Sequence, residues 1–333
     1  MEKALKSKPT NGATATFGTT DENGHWSPPN PCKDSPLFYW PPQPKKILKY
    51  LFGFPGYLWP KLLLYILLAV GTFYLLEADL ASPMSLSATW IGLMLLRNLV
   101  MIFIVFGGYH LLLYILKVQG TKQKYHPQWQ AVGNKKFLFK NQVYDNIFRT
   151  CVSGATIWTA YEVLYVWAFS HDYLPYLSWT QNPVYFVVML LLIPIFRETH
   201  FYFVHRLIHW GPLMKHIHSV HHKNNNVGPW SGLAMHPIEH LLYFSAALIH
   251  FIIPSHPIHF LLNIQMAGLT PAAGHIGFEG PLYKGLYPSG DYFHYLHHRY
   301  VSCNYGTGSV PWDRWFGHFY NGEGKFSARK NKV

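Results

Sequence analysis

Long apolar stretches constrain the fold of this chain more than any other feature. Residues 57–76 carry no charge apart from Lys61, and residues 88–116 contain no acid or lysine and a single arginine, Arg97. Because a helix rises about 1.5 Å per residue, each stretch is long enough to cross a hydrocarbon layer of about 30 Å. Charged residues make up only 13% of the chain, against about a quarter in soluble domains. The sequence therefore predicts a helical membrane protein.

The distribution of Lys and Arg predicts how these helices are oriented. Residues 45–49 hold three lysines, residues 77–87 hold two acids and no Lys or Arg, and residues 117–149 hold seven Lys or Arg against one acid. Further spans are expected at about 151–169 and 184–196, joined by a loop without Lys or Arg. Since positively charged loops stay in the cytoplasm, we predict a cytoplasmic N-terminus, a cytoplasmic second connection and a cytoplasmic segment after the fourth span.

The net charge and the cysteines exclude other classes of protein. The formal net charge is +12, but the basic residues lie in short runs beside apolar stretches and form no nucleic-acid motif. We attribute this charge to loops that face anionic lipid, and we expect no nucleic-acid partner. Three cysteines, Cys32, Cys151 and Cys303, are too few and too scattered for a disulfide framework or a cysteine metal site. They suit a reducing compartment.

A last apolar stretch, residues 241–262, contains Pro254 and Pro257 as well as three histidines. Proline interrupts a helix, so a straight span that faces lipid is not expected here. Histidine clusters precede and follow this stretch, and they can form one site only if both of its ends lie on the same side of the membrane. We therefore predict a broken or re-entrant hairpin.

The resulting fold class is all-α, with about four transmembrane helices, the hairpin, and a helical cytoplasmic cap that holds the histidine clusters. Polar residues, Pro and Gly dominate the N-terminal segment and predict disorder there. The predicted division is a disordered cytoplasmic tail at 1–44, transmembrane helices at 45–196, a histidine-bearing catalytic domain at 197–320 that includes the hairpin, and a basic C-terminal tail at 321–333.

Histidine is concentrated in the second half of the chain. Sixteen of the 21 histidines fall between residues 200 and 298, including one pair spaced by four residues (HRLIH) and two clusters with offsets of three and four (HSVHH and HYLHH). Side chains at these offsets share a helix face, with Cβ atoms about 5–6 Å apart, so each cluster can present its imidazoles to a common point. The eight nitrogens, enough for two metal ions, belong to His205, His209, His218, His221, His222, His294, His297 and His298.

Other side chains are candidates for the same site. His275 lies on the return side of the predicted hairpin, in GHIGFE, and is a further candidate metal ligand. His236 and His240 (HPIEH) are candidates either for ligation or for hydrogen bonds that fix the tautomer of a ligand. Glu239 and Glu279 are possible ligands, or carboxylates that support the ligands from behind.

A zinc hydrolase is the main alternative enzyme, since imidazole binds zinc as well as iron. However, the sequence contains no HExxH, and a zinc site needs only three or four ligands. Eight or more histidines argue for two ions. A non-catalytic membrane protein that binds metal or lipid is an alternative from another class. Transporters usually place ionisable groups within the spans, whereas these clusters lie in polar segments beyond them.

The motifs together resemble those of a known family. HRLIH, HSVHH followed by KNNNVGPWSG, GHIGFEG, and HYLHH followed by NYG and WDRWFG occur in that order between residues 197 and 317. This pattern resembles the sterol desaturase and fatty acid hydroxylase superfamily. The resemblance implies an enzyme of the endoplasmic reticulum membrane that holds two non-haem iron ions through the eight histidines above and His275. It also implies the use of dioxygen, with electrons from NAD(P)H delivered through cytochrome b5 or a similar carrier.

The resemblance also bears on the substrate. The position of Glu279 is a histidine in the fatty acid hydroxylase branch and an acid in the sterol-modifying branch, which favours a sterol. The segment HKNNNVGPWSGLAMHPIEH is closer to the sterol C-5 desaturases, so desaturation of a sterol ring is the first expectation. Hydroxylation of a C-4 methyl group, as in methylsterol monooxygenases, and hydroxylation of a fatty acid or sphingolipid remain alternatives.

Overall fold

Helices dominate the computed structural model, which describes residues 18–81, 85–282 and 287–327. Within these residues the strands form two short antiparallel pairs, β1 (Thr19–Thr20) with β2 (Trp26–Ser27) and β3 (Gly280–Leu282) with β4 (Tyr287–Ser289). The structure thus has the mainly helical fold that the sequence predicts. The helices are α1 (Pro44–Phe52), α2 (Leu58–Leu80), α3 (Ala88–Ile115), α4 (Gln142–Arg149), α5 (Ala155–Ser170), α6 (Pro183–Ile208), α7 (Met214–His218 continued by Ser219–His222), α8 (Pro237–Phe244), α9 (Pro257–Gly274), α10 (Tyr292–Tyr300) and α11 (Trp312–Trp315).

Three of the described helices, α2, α3 and α6, are long and apolar enough to cross a membrane. The first two correspond to the expected spans at 57–76 and 88–116. Helix α6 extends past the expected fourth span as far as Ile208, so that its last turns carry His205. The expected third span forms α5, which is helical but is not one of these three. Four spans and the cytoplasmic side of the cap therefore stay predictions.

The predicted break in the chain between the histidine clusters is present, with longer limbs than expected. Helix α8 leads into a tighter helical segment, Ser245–Phe251, and the chain reverses before α9 begins. At the reversal, the Ser255 amide donates to the Pro175 carbonyl (3.3 Å) and the Tyr185 hydroxyl donates to the Pro254 carbonyl (2.9 Å). The tip of the hairpin thus meets the connection between α5 and α6, and its two open ends point back towards the histidines.

Helix α9 is the central element of the bundle. It is apolar around most of its circumference and packs against α2, α5 and α6, as expected for a helix enclosed by others rather than one that faces lipid. Phe260 stacks on Tyr165 with ring centroids 3.7 Å apart. Gly268 lies directly against the ring of Trp158, where a Cβ atom would overlap the indole. This close packing fixes the end of α9, from which His275 follows.

An ion pair joins α3 to α5 within the apolar region. The Arg97 guanidinium bonds to the fully buried Glu162 carboxylate. The Asn98 amide donates to the second carboxylate oxygen of Glu162 (3.0 Å) and to the Thr159 hydroxyl (3.1 Å). Charged groups at such a depth are costly unless they are paired, so this network holds α5 in one rotation against α3.

Replacing Glu162 by alanine should therefore lower the free energy of unfolding by about 3–5 kcal/mol, because the charge of Arg97 would lose its partner. Thermal unfolding in detergent measures this loss. The double variant Arg97→Met with Glu162→Met is the control and should recover most of the stability, since it leaves no unpaired charge. A double variant as unstable as Glu162→Ala would contradict this account.

The disordered tail at 1–44 stays a prediction, although residues within 18–44 form specific contacts with the rest of the structure. The Trp26 amide donates to the Tyr125 carbonyl (3.0 Å), and the Ser27 and Tyr292 hydroxyls lie 2.7 Å apart. Asp21 pairs with Arg299 at 2.7 Å. These bonds attach the segment to α10, because polar side chains find partners there that the local composition does not reveal. Residues 1–17, and residues 328–333 of the predicted C-terminal tail, lie outside the described residues.

Candidate metal centre

Three helices and one helix end bring all nine predicted ligands together. Helix α6 supplies His205, and His209 follows directly after it. Helices α7 and α10 supply three histidines each, and His275 follows α9. Their nitrogens form two groups, and the atoms within each group lie within 4.8 Å of one another. The first group is His205, His209, His218, His222 and His297, and the second group is His221, His275, His294 and His298.

Within the first group, the Nε2 atoms face one another at short distances. His205 and His218 are 3.0 Å apart, and His297 lies 3.2 Å from His209 and 3.1 Å from His222. In the second group, His275 is the centre. Its Nε2 atom lies 3.2, 2.9 and 3.1 Å from those of His221, His298 and His294 respectively. Two compact sets of ring nitrogens result, each suited to a single ion.

The two groups adjoin, and the clusters HSVHH and HYLHH each contribute ligands to both groups. Ring centroids of His222 and His298, one from each group, are 4.9 Å apart. Consecutive residues on a helix point about 100° apart, so His221 faces one group while His222 faces the other, and His297 and His298 diverge in the same way. The sequence predicts that each cluster converges on one point, and this prediction is wrong for HSVHH and HYLHH. One helix turn serves two neighbouring sites.

The chemistry of these rings fits metal ions. The Nδ1 atom of His297 donates to the Cys303 carbonyl (2.6 Å), and that of His275 donates to the Pro271 carbonyl (3.0 Å). A carbonyl only accepts, so the proton lies on Nδ1 and the lone pair lies on Nε2. Burial lowers the pKa of His275 to about 4 and that of His297 well below its usual value. Neutral rings whose lone pairs face each other need a cation between them.

One carboxylate contacts a ring of the first group directly, and a second acts through the backbone of Tyr305. Glu239 Oε1 lies 2.8 Å from His218 Nδ1, so a neutral His218 that donates this hydrogen leaves Nε2 free for a metal. Burial raises the pKa of Glu239 well above its usual value. Asp313 accepts from the Tyr305 amide (2.8 Å), and the Tyr305 carbonyl accepts from His205 Nδ1 (2.6 Å). The predicted role of Glu239 is therefore that of support, not of ligand.

The remaining weaker candidates lie outside both groups. His240 bonds to the Leu233 carbonyl (3.0 Å) and the Ser153 hydroxyl (2.9 Å). His236 caps the start of α8 and accepts from the Ile238 amide. Glu279 accepts from the Tyr125 hydroxyl at 2.6 Å. His240 is the next residue after Glu239 on α8 and therefore points about 100° away from it, whereas His236 precedes the helix as its N-cap.

Sequence reasoning missed the backbone acceptors of the centre. The carbonyls of Tyr305, Cys303 and Pro271 orient three ligands, but a backbone group carries no signature in the sequence. The NYG motif that contains Tyr305 was the available signal, since it follows the last histidine cluster closely.

A cavity of about 460 Å³ adjoins both groups. This volume lies in the usual range for a pocket that holds a small molecule. Five of the nine histidines border the cavity, and its other walls combine apolar side chains with charged and hydroxyl-bearing ones. The five are His205, His218, His221, His275 and His294, and the apolar walls include Pro194, Phe201, Ile208, Met235 and Met266. An apolar molecule in this cavity would lie directly against the metal centre.

Comparison with known proteins agrees with this site. Residues 189–318, which contain all nine histidines, match the family model described as fatty acid hydroxylase. No solved structure matches the chain. A protein named putative Delta(7)-sterol-C5(6)-desaturase 2 from Arabidopsis thaliana is 30% identical over 47% of this chain and 56% of its own length. Human lathosterol oxidase is 29% identical over 40% of this chain and 46% of its own length.

Methylsterol monooxygenase 1 from Gallus gallus is 26% identical over 65% of this chain and 69% of its own length. The matched segment thus spans about half the length of most of these relatives. The structure is thus a helical bundle in which two adjacent groups of histidines border a cavity. Residues 189–318 are thus similar to the sterol desaturase and fatty acid hydroxylase superfamily.

The two histidine groups predict two bound metal ions per chain, measured by elemental analysis of the purified protein. His297→Ala removes a ligand of the first group and His275→Ala removes the central ring of the second group. Each variant should lose about one ion while the other site keeps its metal. His216→Ala, an exposed residue on α7, is the matched control and should bind as the wild type does. Unchanged metal content in both site variants would contradict the assignment.

Removing Glu239 should weaken the first site without removing a ligand. Glu239→Ala is expected to lower metal affinity by about 10- to 100-fold, because His218 would lose the acceptor that orients its ring. Competition with a chelator measures the affinity. Glu239→Gln keeps a carbonyl oxygen that can accept the Nδ1 hydrogen, so this variant should retain most of the binding. Equal losses in both variants would point to general damage instead.

Proposed function

We propose that this chain is a membrane-bound oxidase that desaturates or hydroxylates a sterol, using dioxygen at two iron ions held by the nine histidines. The observation that carries the proposal is the cavity, because apolar side chains and five of those histidines line the same space. A lipid held in it would present carbon atoms, not polar groups, to the metal centre. The names of the relatives, which describe sterol desaturases and oxidases, support the choice of lipid.

Iron suits the proposed chemistry better than zinc. Imidazole binds both metals, but zinc has no redox chemistry. Two iron ions bound here would supply the oxidising power that removes hydrogen from an unactivated C–H bond with dioxygen.

The protein's own residues contribute orientation and the exclusion of water. Phe201 and Ile208 line the cavity on α6 on either side of His205, and Met266 lines it on α9. These side chains exclude water from the part of the wall that they cover. Glu239 and the carbonyl of Tyr305 keep two ligand rings in fixed orientations. The fixed rings and the shaped wall together determine which carbon of the lipid lies next to the metal centre.

Desaturation of a sterol ring, as the relatives named Delta(7)-sterol 5(6)-desaturase suggest, is our first choice of reaction. Hydroxylation of a C-4 methyl group is the second, because the relative that covers 65% of this chain is named a methylsterol monooxygenase. Fatty acid or sphingolipid hydroxylation is third. Glu279 lies outside both histidine groups, so its identity affects the cavity surroundings instead of metal binding.

We further propose that the protein works in the endoplasmic reticulum membrane and receives electrons from NAD(P)H through cytochrome b5 or a similar carrier. The connection between α3 and α4 supports this proposal, because Lys135, Lys136 and Lys140 are exposed on it. A cluster of exposed lysines suits an acidic protein partner.

The test is the sterol profile of cells that express the protein. Wild type should produce a sterol with a new ring double bond, or one that has lost a C-4 methyl group, and His297→Ala should abolish the product because it removes a metal ligand. His216→Ala is the control and should leave the product unchanged. An unchanged sterol profile together with hydroxylated acyl lipids would favour the third reaction. No oxidised lipid of either kind would favour a non-catalytic protein that binds metal or lipid.

A further inference from the structure

Two basic side chains, Lys61 and Arg197, line the cavity beside the histidines. Arg197 on α6 lines this cavity, and among the described residues no carboxylate lies within salt-bridge distance of it. Its Nη2 atom donates to the Tyr243 hydroxyl at 3.4 Å. Its Nε atom is buried and finds no hydrogen-bond partner in the described part of the chain. A buried N–H group without an acceptor costs free energy. This donor therefore favours a bound partner that the described protein does not itself supply.

The acids around the cavity already have other partners. Glu198, the neighbour of Arg197, accepts from the Thr307 amide (2.8 Å) and from the hydroxyl of the same residue. Lys61, the other basic residue of the cavity wall, interacts electrostatically with Asp291. Lys61 forms no salt bridge within the described residues either, but the Nε atom of Arg197 is a buried donor that remains available to a ligand.

The position of Arg197 relates it directly to the metal centre. Arg197, Phe201 and His205 are four residues apart and lie on one face of α6, and all three line the cavity. Phe201 packs between the two ends, with its ring centroid 4.9 Å from that of His205 and 6.1 Å from that of Tyr243. The Cα atoms of Arg197 and His205 are about 12 Å apart along the helix axis. The side chain of Arg197 therefore reaches into a space that also touches the ligands.

Tyr243 keeps the guanidinium in this position. Its hydroxyl donates to the Ala267 carbonyl (3.0 Å) and therefore presents a lone pair to Arg197. Tyr243 is itself buried between α8 and α9. The hairpin thus provides one partner for Arg197, and the cavity provides room for a second.

We propose that Arg197, positioned by Tyr243, binds the ring hydroxyl of the sterol and so determines which carbon faces the metal centre. This inference rests on the proposed function. In a sterol the hydroxyl lies on the first ring, next to the carbon that bears the C-4 methyl groups and close to the 5(6) bond. Anchoring that hydroxyl near the histidines brings these carbons, and not the side chain at the far end of the molecule, to the metal centre. Arg197 is a binding residue, and Tyr243 is a positioning residue.

The test uses the full-length, metal-loaded protein in detergent without dioxygen, so that binding is measured without turnover. The probes are a Delta(7)-sterol with a free 3-hydroxyl and its 3-deoxy counterpart. Arg197→Met should weaken binding of the hydroxysterol by about 10- to 100-fold, the usual effect of losing a hydrogen bond to a charged group. Its affinity for the deoxy compound should stay unchanged. Tyr243→Phe should produce a smaller loss that is likewise confined to the hydroxysterol.

Matched controls separate this effect from damage to the fold. Arg299→Met removes an arginine that pairs with Asp21 outside the cavity, and it should bind both sterols as the wild type does. Metal content and thermal unfolding of Arg197→Met should match the wild type, because no acid loses a partner in this variant.

The outcomes distinguish this inference from the proposed function. If wild type binds both sterols equally while oxidising a sterol, the role of Arg197 is wrong and the function stands. The same conclusion follows if Arg197→Met weakens binding of the deoxy compound as much as it weakens binding of the hydroxysterol. If Arg197→Met weakens binding of a free fatty acid but does not weaken binding of its methyl ester or of the hydroxysterol, Arg197 recognises a carboxylate instead. If wild type binds no sterol at all, the proposed function itself fails.

Discussion

The close approach of nine neutral imidazole rings in the protein interior is the constraint on which the rest of the structure depends. Facing Nε2 atoms lie 2.9–3.2 Å apart, and lone pairs at that distance repel unless a cation lies between them. Four of the rings are oriented by a hydrogen bond of their other nitrogen, Nδ1. The carbonyls of Tyr305 and Cys303 and the carboxylate of Glu239 do this for three rings. The loop after α10 is thus as necessary to the centre as the helices that bear the ligands.

The hairpin of α8 and α9 connects this centre to the apolar bundle. Its first limb delivers Glu239 to the back of His218, and its second limb ends at His275 in the second group. Between them, Tyr243 and Met266 line the cavity. One element therefore supports a ligand, supplies a ligand and shapes the space where a lipid would lie. The tight packing of Gly268 against Trp158 and of Phe260 against Tyr165 leaves α9 little room to move.

Much of the centre could be predicted from the sequence because it depends on short-range helical geometry. Offsets of three and four residues place histidines on neighbouring faces of a helix, and clusters on both sides of an apolar stretch require that stretch to return. These two arguments predict the nine histidines and the hairpin. They do not predict the division into two groups, since that depends on how α7 and α10 are rotated against each other. Nor do they separate Glu239 from Glu279, which are both acids near histidines in the sequence.

The sequence by itself determined the class of the protein, its long apolar helices and the identity of the candidate ligands, because composition and periodicity are local properties. Only the tertiary structure decided which nitrogens share an ion and that residues 18–44 pack against the described domain. It alone decided that Arg197 borders the cavity with a buried Nε atom that has no partner among the described residues. Each of these depends on contacts between residues far apart in the chain. Such contacts follow from the packing of whole helices, which no local pattern records.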